Sequence, residues 1–379
     1  MDKQMRIIHC ADLHLDARMT ANLPPEKGRE RRKELYDTFF RMVQFADRNC
    51  VEAIMIAGDL FDKNHIAAAS EEKIISVIRE YSAIQFFYLR GNHDADLLFR
   101  KADAEIGNLH CFSSDGWNSF SLGQGKICVT GVELTDTNNR RVFEELETDT
   151  DVYNIVVLHG QTEDTLAARK SEVRKKEAVI PLRSLQNKGI DYLALGHIHK
   201  KQTGRLDGRG IWCYPGCLEG RGFDECGLHG CILLDIDPDT HQTELTFVPL
   251  AKRNLYELPV EIASCSNSYE ILAAVRAALD QNAYSEKDLV KVILRGEVDA
   301  ACEIAEDFLT KQLEELFYYV GFENRTRVKV DYRDYATDPS LKGEFVRSVW
   351  KDELLSEEEK TQVIQLGIRM LMGVDGFED

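Results

Sequence analysis

The stretch Arg6-Ile7-Ile8-His9-Cys10-Ala11-Asp12-Leu13-His14 sets a short apolar run directly against an aspartate and a histidine two residues apart. An apolar run of this length predicts a strand buried on both faces, and it sets the terms for the rest of the chain. Residues two apart in extended chain project to the same side, so Asp12 and His14 can serve one centre at the strand's end. A second run, Ala53 to Ala57, leads in the same way into Gly58-Asp59-Leu60-Phe61-Asp62, and Arg31 to Asn49 between them follows the period of a helix. Strand, helix and strand in this order predict a βαβ opening with parallel strands.

The pattern continues outward. Ser70 to Ser82 reads as a helix, and Ile84 to Leu89 as a strand that runs into Gly91-Asn92-His93-Asp94. From Leu109 closely spaced strands follow at Ile127 to Val132, Asn154 to Leu158, Tyr192 to Leu195, Ile211 to Tyr214, Cys231 to Ile236 and Thr243 to Val248. This order predicts mixed or antiparallel pairing, best met by two sheets stacked face to face with helices outside. Two of these strands, Asn154 to Leu158 and Tyr192 to Leu195, run into His159-Gly160 and Gly196-His197-Ile198-His199. Glycines beside Asp59, Asn92, His159 and His197 allow the tight backbone that brings such side chains inward.

A lone aspartate or histidine near a strand end is more often a cap or a turn residue. Five motifs in order, each after an apolar strand, point instead to one metal centre. Imidazole and carboxylate donors without cysteine suit manganese, iron or zinc rather than a soft, thiolate-bound ion, with Mn2+ the first choice and Mg2+ also admitted. A carboxylate shared by two ions is the economical way to hold them close together, and Asp59 is the residue placed for that.

The order and wording of these motifs resemble the calcineurin-like metallophosphoesterases over about the first two thirds of the chain. The resemblance implies a four-layer α/β/β/α sandwich binding two divalent metal ions. Asp12, His14, Asp59 and His199 would hold the first ion, and Asp59, Asn92, His159 and His197 the second. His93 would be the catalytic histidine, protonating the leaving oxygen or orienting the phosphate, and Asp62 would fix its tautomer. Asp12-Leu13-His14-Leu15-Asp16, Gly58 to Asp62, Tyr214-Pro215-Gly216-Cys217-Leu218-Glu219 and Leu341-Lys342-Gly343-Glu344-Phe345 are similar to the SbcD-type DNA repair exonucleases, and among them to the YhaO-like branch. Cys217 stands where that branch often has serine. The resemblance implies a DNA exonuclease and endonuclease working with an SbcC-like (YhaN-like) ATPase of the SMC type, and homodimers are common in the family. Two other readings stay open: a phosphodiesterase for small phosphoesters or nucleotides, and a metal-bearing scaffold that cuts nothing.

At 379 residues the chain exceeds the usual single core. Residues 1–250 carry the motifs and are read as the nuclease domain. Residues 251–335 follow as a smaller α+β capping domain, with strands at Tyr256 to Val260, Leu289 to Leu294 and Val328 to Tyr332 and helices at Tyr269 to Leu279 and Ala301 to Phe317. Residues 336–379 hold two amphipathic helices, Leu341 to Leu354 and Glu357 to Met372, read as a partner-docking segment; Phe345, Val346, Val349 and Trp350 share one side. No Walker A pattern occurs, so ATP dependence would come from another chain.

The net charge of −18 opposes nonspecific adhesion to nucleic acid or anionic membranes, so a polyanionic substrate must be met locally. Lys27-Arg29-Arg31-Arg32-Lys33 and Arg169-Lys170-Arg174-Lys175-Lys176 are the basic clusters that could do so, although such a run is more often a solvated helix face. No apolar stretch approaches the ~20 residues of a membrane span, and no secretory leader is evident; a cytoplasmic protein is expected. The ten cysteines form no CxxC pair, and Cys213, Cys217, Cys226 and Cys231 fit no common zinc spacing, so reduced thiols are expected. Asp94 is read as orienting its loop and His65 as a neighbour of the cleft. His9, His110, His229 and His241 fall outside the site.

Overall fold

A computed structural model describes residues 4–371 apart from 20, 22, 63–65, 96–98, 100, 101, 103, 140, 164, 166–177, 300, 301, 330–334 and 336. His65 and the cluster Arg169 to Lys176 therefore lie outside the described residues. The chain divides into two compact units, Met1–Leu255 and Tyr256–Asp379.

In the first unit, β1 (Met5–Cys10), β2 (Ala53–Ala57), β3 (Gln85–Leu89) and β4 (Leu109–Cys111) run parallel in that order. On the far side of β1, β13 (Gly230–Asp237) and β14 (Gln242–Pro249) continue the sheet antiparallel. The second sheet has the order β11 (Gln202–Arg205), β12 (Ile211–Tyr214), β10 (Tyr192–Gly196), β7 (Tyr153–His159), β6 (Ile127–Gly131), β5 (Asn118–Leu122); its four inner strands are parallel and its two edges antiparallel, and the short β8 (Gln161–Thr162) and β9 (Val179–Ile180) pair with each other.

Alternation along the strands builds the layers. Met5 and Ile7 of β1 and Met55 of β2 face a core shared with Ile155, Val157, Tyr192 and Ala194 of the second sheet. Ile8 and Cys10, with Ile54 and Ile56, face outward onto α1 (Pro25–Arg48) and α2 (Ala68–Glu80), whose buried stripe includes Leu35, Phe39, Met42, Val43 and Ile74. Because both faces of β1 and β2 are covered, these runs are apolar throughout. On the other side, Leu182 and Leu185 of the short α3 (Leu182–Leu185) join Val142, Phe143 and Leu146 over the second sheet. The result is the α/β/β/α sandwich expected.

Some boundaries differ from expectation. α1 begins at Pro25 rather than near Arg31, because its first turns are charged and carry no apolar stripe; the proline at its start is the signal that was available. Ala67, not Ser70, precedes the first turn of α2. The edge strands β5 and β11 escaped the apolar reading because they are mainly polar and half-exposed.

In the second unit, β15 (Leu255–Glu261), β16 (Leu289–Arg295) and β18 (Tyr319–Asn324) form a three-stranded sheet, and β17 (Glu297–Val298) pairs with β19 (Arg327–Val328); residues 330–332 of the expected strand Val328 to Tyr332 lie outside the described residues. It packs on α4 (Ser268–Asp280) and α5 (Glu306–Leu313) through Leu258, Ile271, Val275, Val292 and Leu309. α5 is shorter than the expected Ala301 to Phe317, because Ser268 Oγ bonds both Glu303 O (2.8 Å) and Ala305 N (2.9 Å) and holds that approach non-helical. In α6 (Leu341–Trp350) and α7 (Glu357–Leu371), Val346 packs with Ile364 and Ile368, while Trp350, Leu366 and Met370 are exposed. Among the described residues, no helix is long and apolar enough to cross a membrane.

Candidate metal centre

Each of the five motifs leaves the carboxyl end of a parallel strand: Asp12 and His14 after β1, Asp59 after β2, Asn92 and His93 after β3, His159 at the last position of β7, and His197 and His199 after β10. Carboxyl ends of parallel strands are where open α/β sheets assemble ligand sites. Here two sheets contribute, and they approach each other very closely. A Cβ on Gly196 would lie 1.7 Å from Ala57 O and 2.8 Å from His159 Nδ1, so only glycine fits between β2 and β10 at this level. Asp12, His14, Asp59 and His197 all adopt left-handed backbone, with φ of 53°, 45°, 52° and 101°. Non-glycine residues hold such conformations when the surroundings impose them, and they cluster at functional sites. The imposing contacts are backbone bonds from Asp12 N to Gly58 O and His14 N to Asp59 O, and a bond from His197 N to the Asp12 carboxylate at 2.9 Å.

The fold gathers the seven proposed ligands into two adjoining groups. Asp12, His14 and His199 converge in one, and Asp59, His159 and His197 in the other. Asp59 Oδ2 lies 3.7 Å from His14 Nε2 and 3.4 Å from His159 Nε2, facing a member of each group. Asn92 Oδ1 lies 3.1 Å from His159 Nε2 and 3.2 Å from His197 Nδ1, which places it in the second group. His14 Nε2 and His199 Nε2 are 3.1 Å apart. His93 stands beside the first group, its side chain 48% exposed, with its backbone N–H donating to Asp59 Oδ1 and its Nδ1 3.4 Å from Asp62.

Three of the four imidazoles hydrogen-bond through the nitrogen turned away from the centre, and the fourth, His14, has a carboxylate close to it. His14 Nδ1 faces Asp62 Oδ1 at 3.0 Å, His159 Nδ1 donates to Ala57 O at 2.9 Å, His199 Nδ1 meets Glu225 Oε1 at 2.6 Å, and His197 Nε2 meets the amide of Gln161 at 3.2 Å. Such partners fix the tautomer and leave one nitrogen directed inward. Sequence reasoning missed Gln161, Arg221 and Glu225. Gln161 lay two residues after a proposed ligand, but the other two follow β12 and only the fold brings them near. Asp94 does orient its loop, accepting from the backbone N–H groups of Leu60, Phe61 and Gly91.

Electrostatics follows from burying carboxylates. Burial disfavours the charge on Asp59, but the His159 and His14 rings beside it and the His93 N–H hold its carboxyl well below the ordinary range. Burial pushes Asp12 up, and pushes Asp94 up to about 6 with help from the Asp59 charge. On His159, burial opposes protonation, yet the neighbouring Asp59 and Asp12 raise it to about 9. The pocket thus demands positive charge. Two buried carboxylates, an amide oxygen and four oriented imidazoles are the donors that divalent cations of intermediate hardness take, so the residues present fit a pair of such ions. His9 lies outside this set, bonded to Tyr192 Oη at 2.8 Å and pushed by burial down to about 3, a neutral core residue. Cys213, Cys217 and Cys231 are buried thiols and Cys226 an exposed one; none joins a donor group.

A cavity of about 820 Å³ opens beside His197 and His199, lined also by Lys200, Lys201, Trp212 and Leu228. The basic cluster on α1 is divided: Arg29, Arg32 and Lys33 are exposed, but Arg31 is buried against Glu34 and Glu219.

The model of the calcineurin-like phosphoesterase family matches residues 5–201, which span all five motifs. The DNA double-strand break repair protein Mre11 of Aeropyrum pernix is 25% identical over 335 residues, covering 79% of this chain and 76% of that protein. The protein of the same name from Sulfurisphaera tokodaii is 24% identical over 383 residues, covering 95% and 92%. The uncharacterized metallophosphoesterase YhaO of Bacillus subtilis is 29% identical over 244 residues, 61% of this chain and 57% of that protein.

Proposed function

The chain belongs to the calcineurin-like phosphoesterase family and is a metal-dependent phosphoesterase; from that premise we propose that it is a two-metal DNA nuclease of repair, cutting duplex ends and single strands. The observation that supports this best is the pair of donor groups facing one carboxylate, Asp59, with a half-exposed histidine beside them. Asp12, His14, Asp59 and His199 would hold one ion and Asp59, Asn92, His159 and His197 the other, with Mn2+ preferred. Bound there, the ions supply Lewis-acid polarisation of the phosphoryl group and a water acidic enough to ionise near neutral pH. His93 supplies the proton. Asp62 lies at its Nδ1 and favours the protonated ring, so Nε2 is left to protonate the departing oxygen.

DNA is favoured over a small diester by the names of the relatives, whereas the cavity beside His197 and His199 sets Lys200 and Lys201 against Asp224 and Glu225 and favours neither. The relatives that align along most of this chain are named as DNA double-strand break repair proteins. In this reading residues 1–250 form the nuclease domain, 251–335 cap it, and 336–379 dock an SbcC-like ATPase through the apolar residues left exposed on α6 and α7. A cytoplasmic location and a homodimer belong to the same reading. The net charge of −18 favours a second one, hydrolysis of small phosphodiesters or nucleotides.

The separating experiment is Mn2+-dependent hydrolysis of end-labelled duplex and single-stranded DNA beside bis(p-nitrophenyl) phosphate, with His93→Ala as control. DNA cleavage that falls by about 10²-fold or more in the variant, with metal uptake intact, supports the nuclease. Hydrolysis of the small diester alone, even with the ATPase supplied, moves the assignment to the second reading. Metal uptake with no hydrolysis of either would leave the scaffold.

A further inference from the structure

Two charged residues next to the first donor group belong to none of the five motifs. Arg221 and Glu225 lie on the segment after β12, and both are largely buried. Glu225 Oε1 meets His199 Nδ1 at 2.6 Å and Oε2 accepts the Arg221 backbone N–H at 2.8 Å. The Arg221 guanidinium donates from Nη2 to Glu225 Oε1 at 2.7 Å, with the same Nη2 3.0 Å from His199 Nδ1, and reaches Asp62 Oδ1 with Nη1 at 3.5 Å. Asp62 Oδ1 in turn faces Nδ1 of His14 at 3.0 Å and Nδ1 of His93 at 3.4 Å. One line of charged contacts therefore runs from His199 through Glu225, Arg221 and Asp62 to His14 and His93.

The line is anchored at its Glu225 end. His229 Nε2 lies 2.7 Å from Glu225 O, and the Cys217 backbone N–H donates to His199 O at 3.1 Å. Glu219, on the same segment, is bonded by Thr38 and Arg31 of α1. Two carboxylates already engage the Arg221 guanidinium and its side chain is 16% exposed, so it is not held ready for a substrate phosphate.

We propose that Arg221 and Glu225 are a positioning pair for the first donor group, Glu225 fixing His199 and Arg221 tying Glu225 to Asp62, so that His199, His14 and His93 are oriented as one unit. This rests on reading the site as a two-metal centre. A carboxylate on the outer nitrogen fixes a ligating imidazole's tautomer and raises its basicity. The arginine holds two carboxylates near each other that would otherwise repel. The second group is served by other partners, Ala57 O and Gln161, so the pair acts on one ion and not the other.

The test is calorimetric titration of Mn2+ into the metal-free full chain. Wild type takes up two ions. Glu225→Gln and Arg221→Ala each weaken one of them about 10–100-fold and leave the other unchanged, a selective loss that the lower metal-free melting midpoint expected of Arg221→Ala would not by itself produce. Arg221→Lys recovers part of the loss, and His159→Ala weakens the other ion. Wild-type binding of both ions by Glu225→Gln and Arg221→Ala overturns the proposal, as does a loss of both ions that tracks a lower metal-free midpoint. No Mn2+ uptake by wild type, with His159→Ala indistinguishable from it, overturns the metal reading beneath the proposal, a result separate from failure of the pair alone.

Discussion

Gly196 shows how one residue controls the spacing of a site built on two sheets. Its absent side chain lets Ala57 O pass within 1.7 Å of where a Cβ would stand, and the same carbonyl holds Nδ1 of His159. Gly196→Ala must therefore push β10 from β2 or turn His159 out of register. We expect a stability loss of about 1–3 kcal/mol, as for other overpacked positions, and a larger proportional loss of Mn2+ affinity. Urea unfolding of the metal-free protein alongside Mn2+ titration separates the two; unchanged affinity in a folded variant would show that the spacing is not critical. The sequence displayed this glycine before His197, but only as a permissive turn. Its actual constraint is contact between chain segments 139 residues apart, which no local pattern reports.

At the scale of elements, α1 is held to the segments after β12 and β14 by a buried charge network. Arg31 meets Glu34 at 2.5 Å and Glu219 at 3.2 Å, and Lys252 and Arg253 reach Glu34 at 2.9 and 3.0 Å. Removing Arg31 leaves two buried carboxylates undercompensated, so Arg31→Ala should cost about 3–5 kcal/mol, measured by urea unfolding. The same network sets a pH dependence. Burial alone would raise Glu34, but Arg31, Lys252 and Arg253 bring it below its ordinary 4.5. A carboxyl depressed in the folded state adds stability that is complete above its unfolded pKa and is lost as pH falls through the folded one. Glu34→Gln should thus lower stability at neutral pH and flatten the decline on the acid side of about 4.5; parallel curves for both proteins would rule out this role. Arg31 was legible only as part of a charge run. The signal that could have revealed it is its spacing, since Arg31, Glu34, Leu35 and Thr38 share a helix face that is buried.

At the scale of the molecule, what the sequence revealed and what it hid divide by range of interaction. The parallel inner strands were legible because burial on both faces makes them continuously apolar, and the convergence of the five motifs because they follow those strands directly. The edges β5 and β11, the outer partners Gln161 and Glu225, and the 303–305 approach to α5 depend on contacts distant in sequence. The division into two units has a thermodynamic consequence. All seven proposed ligands lie within Met1–Leu255, whereas Tyr256–Asp379 has its own core around Ile271, Val292 and Leu309. Ions that bind only folded protein stabilise it by mass action, and the stabilisation belongs to the cooperative unit that carries the ligands. At a free Mn2+ concentration one hundred times the dissociation constant, this amounts to about 2.7 kcal/mol for each ion bound, or about 5–10 °C per ion for a unit of this size. Scanning calorimetry should then show two transitions, of which Mn2+ raises one and EDTA returns it, while the other stays in place. A single transition moving as a whole would mean that the two units unfold together, and no movement with Mn2+ in excess would remove the metal centre from the account.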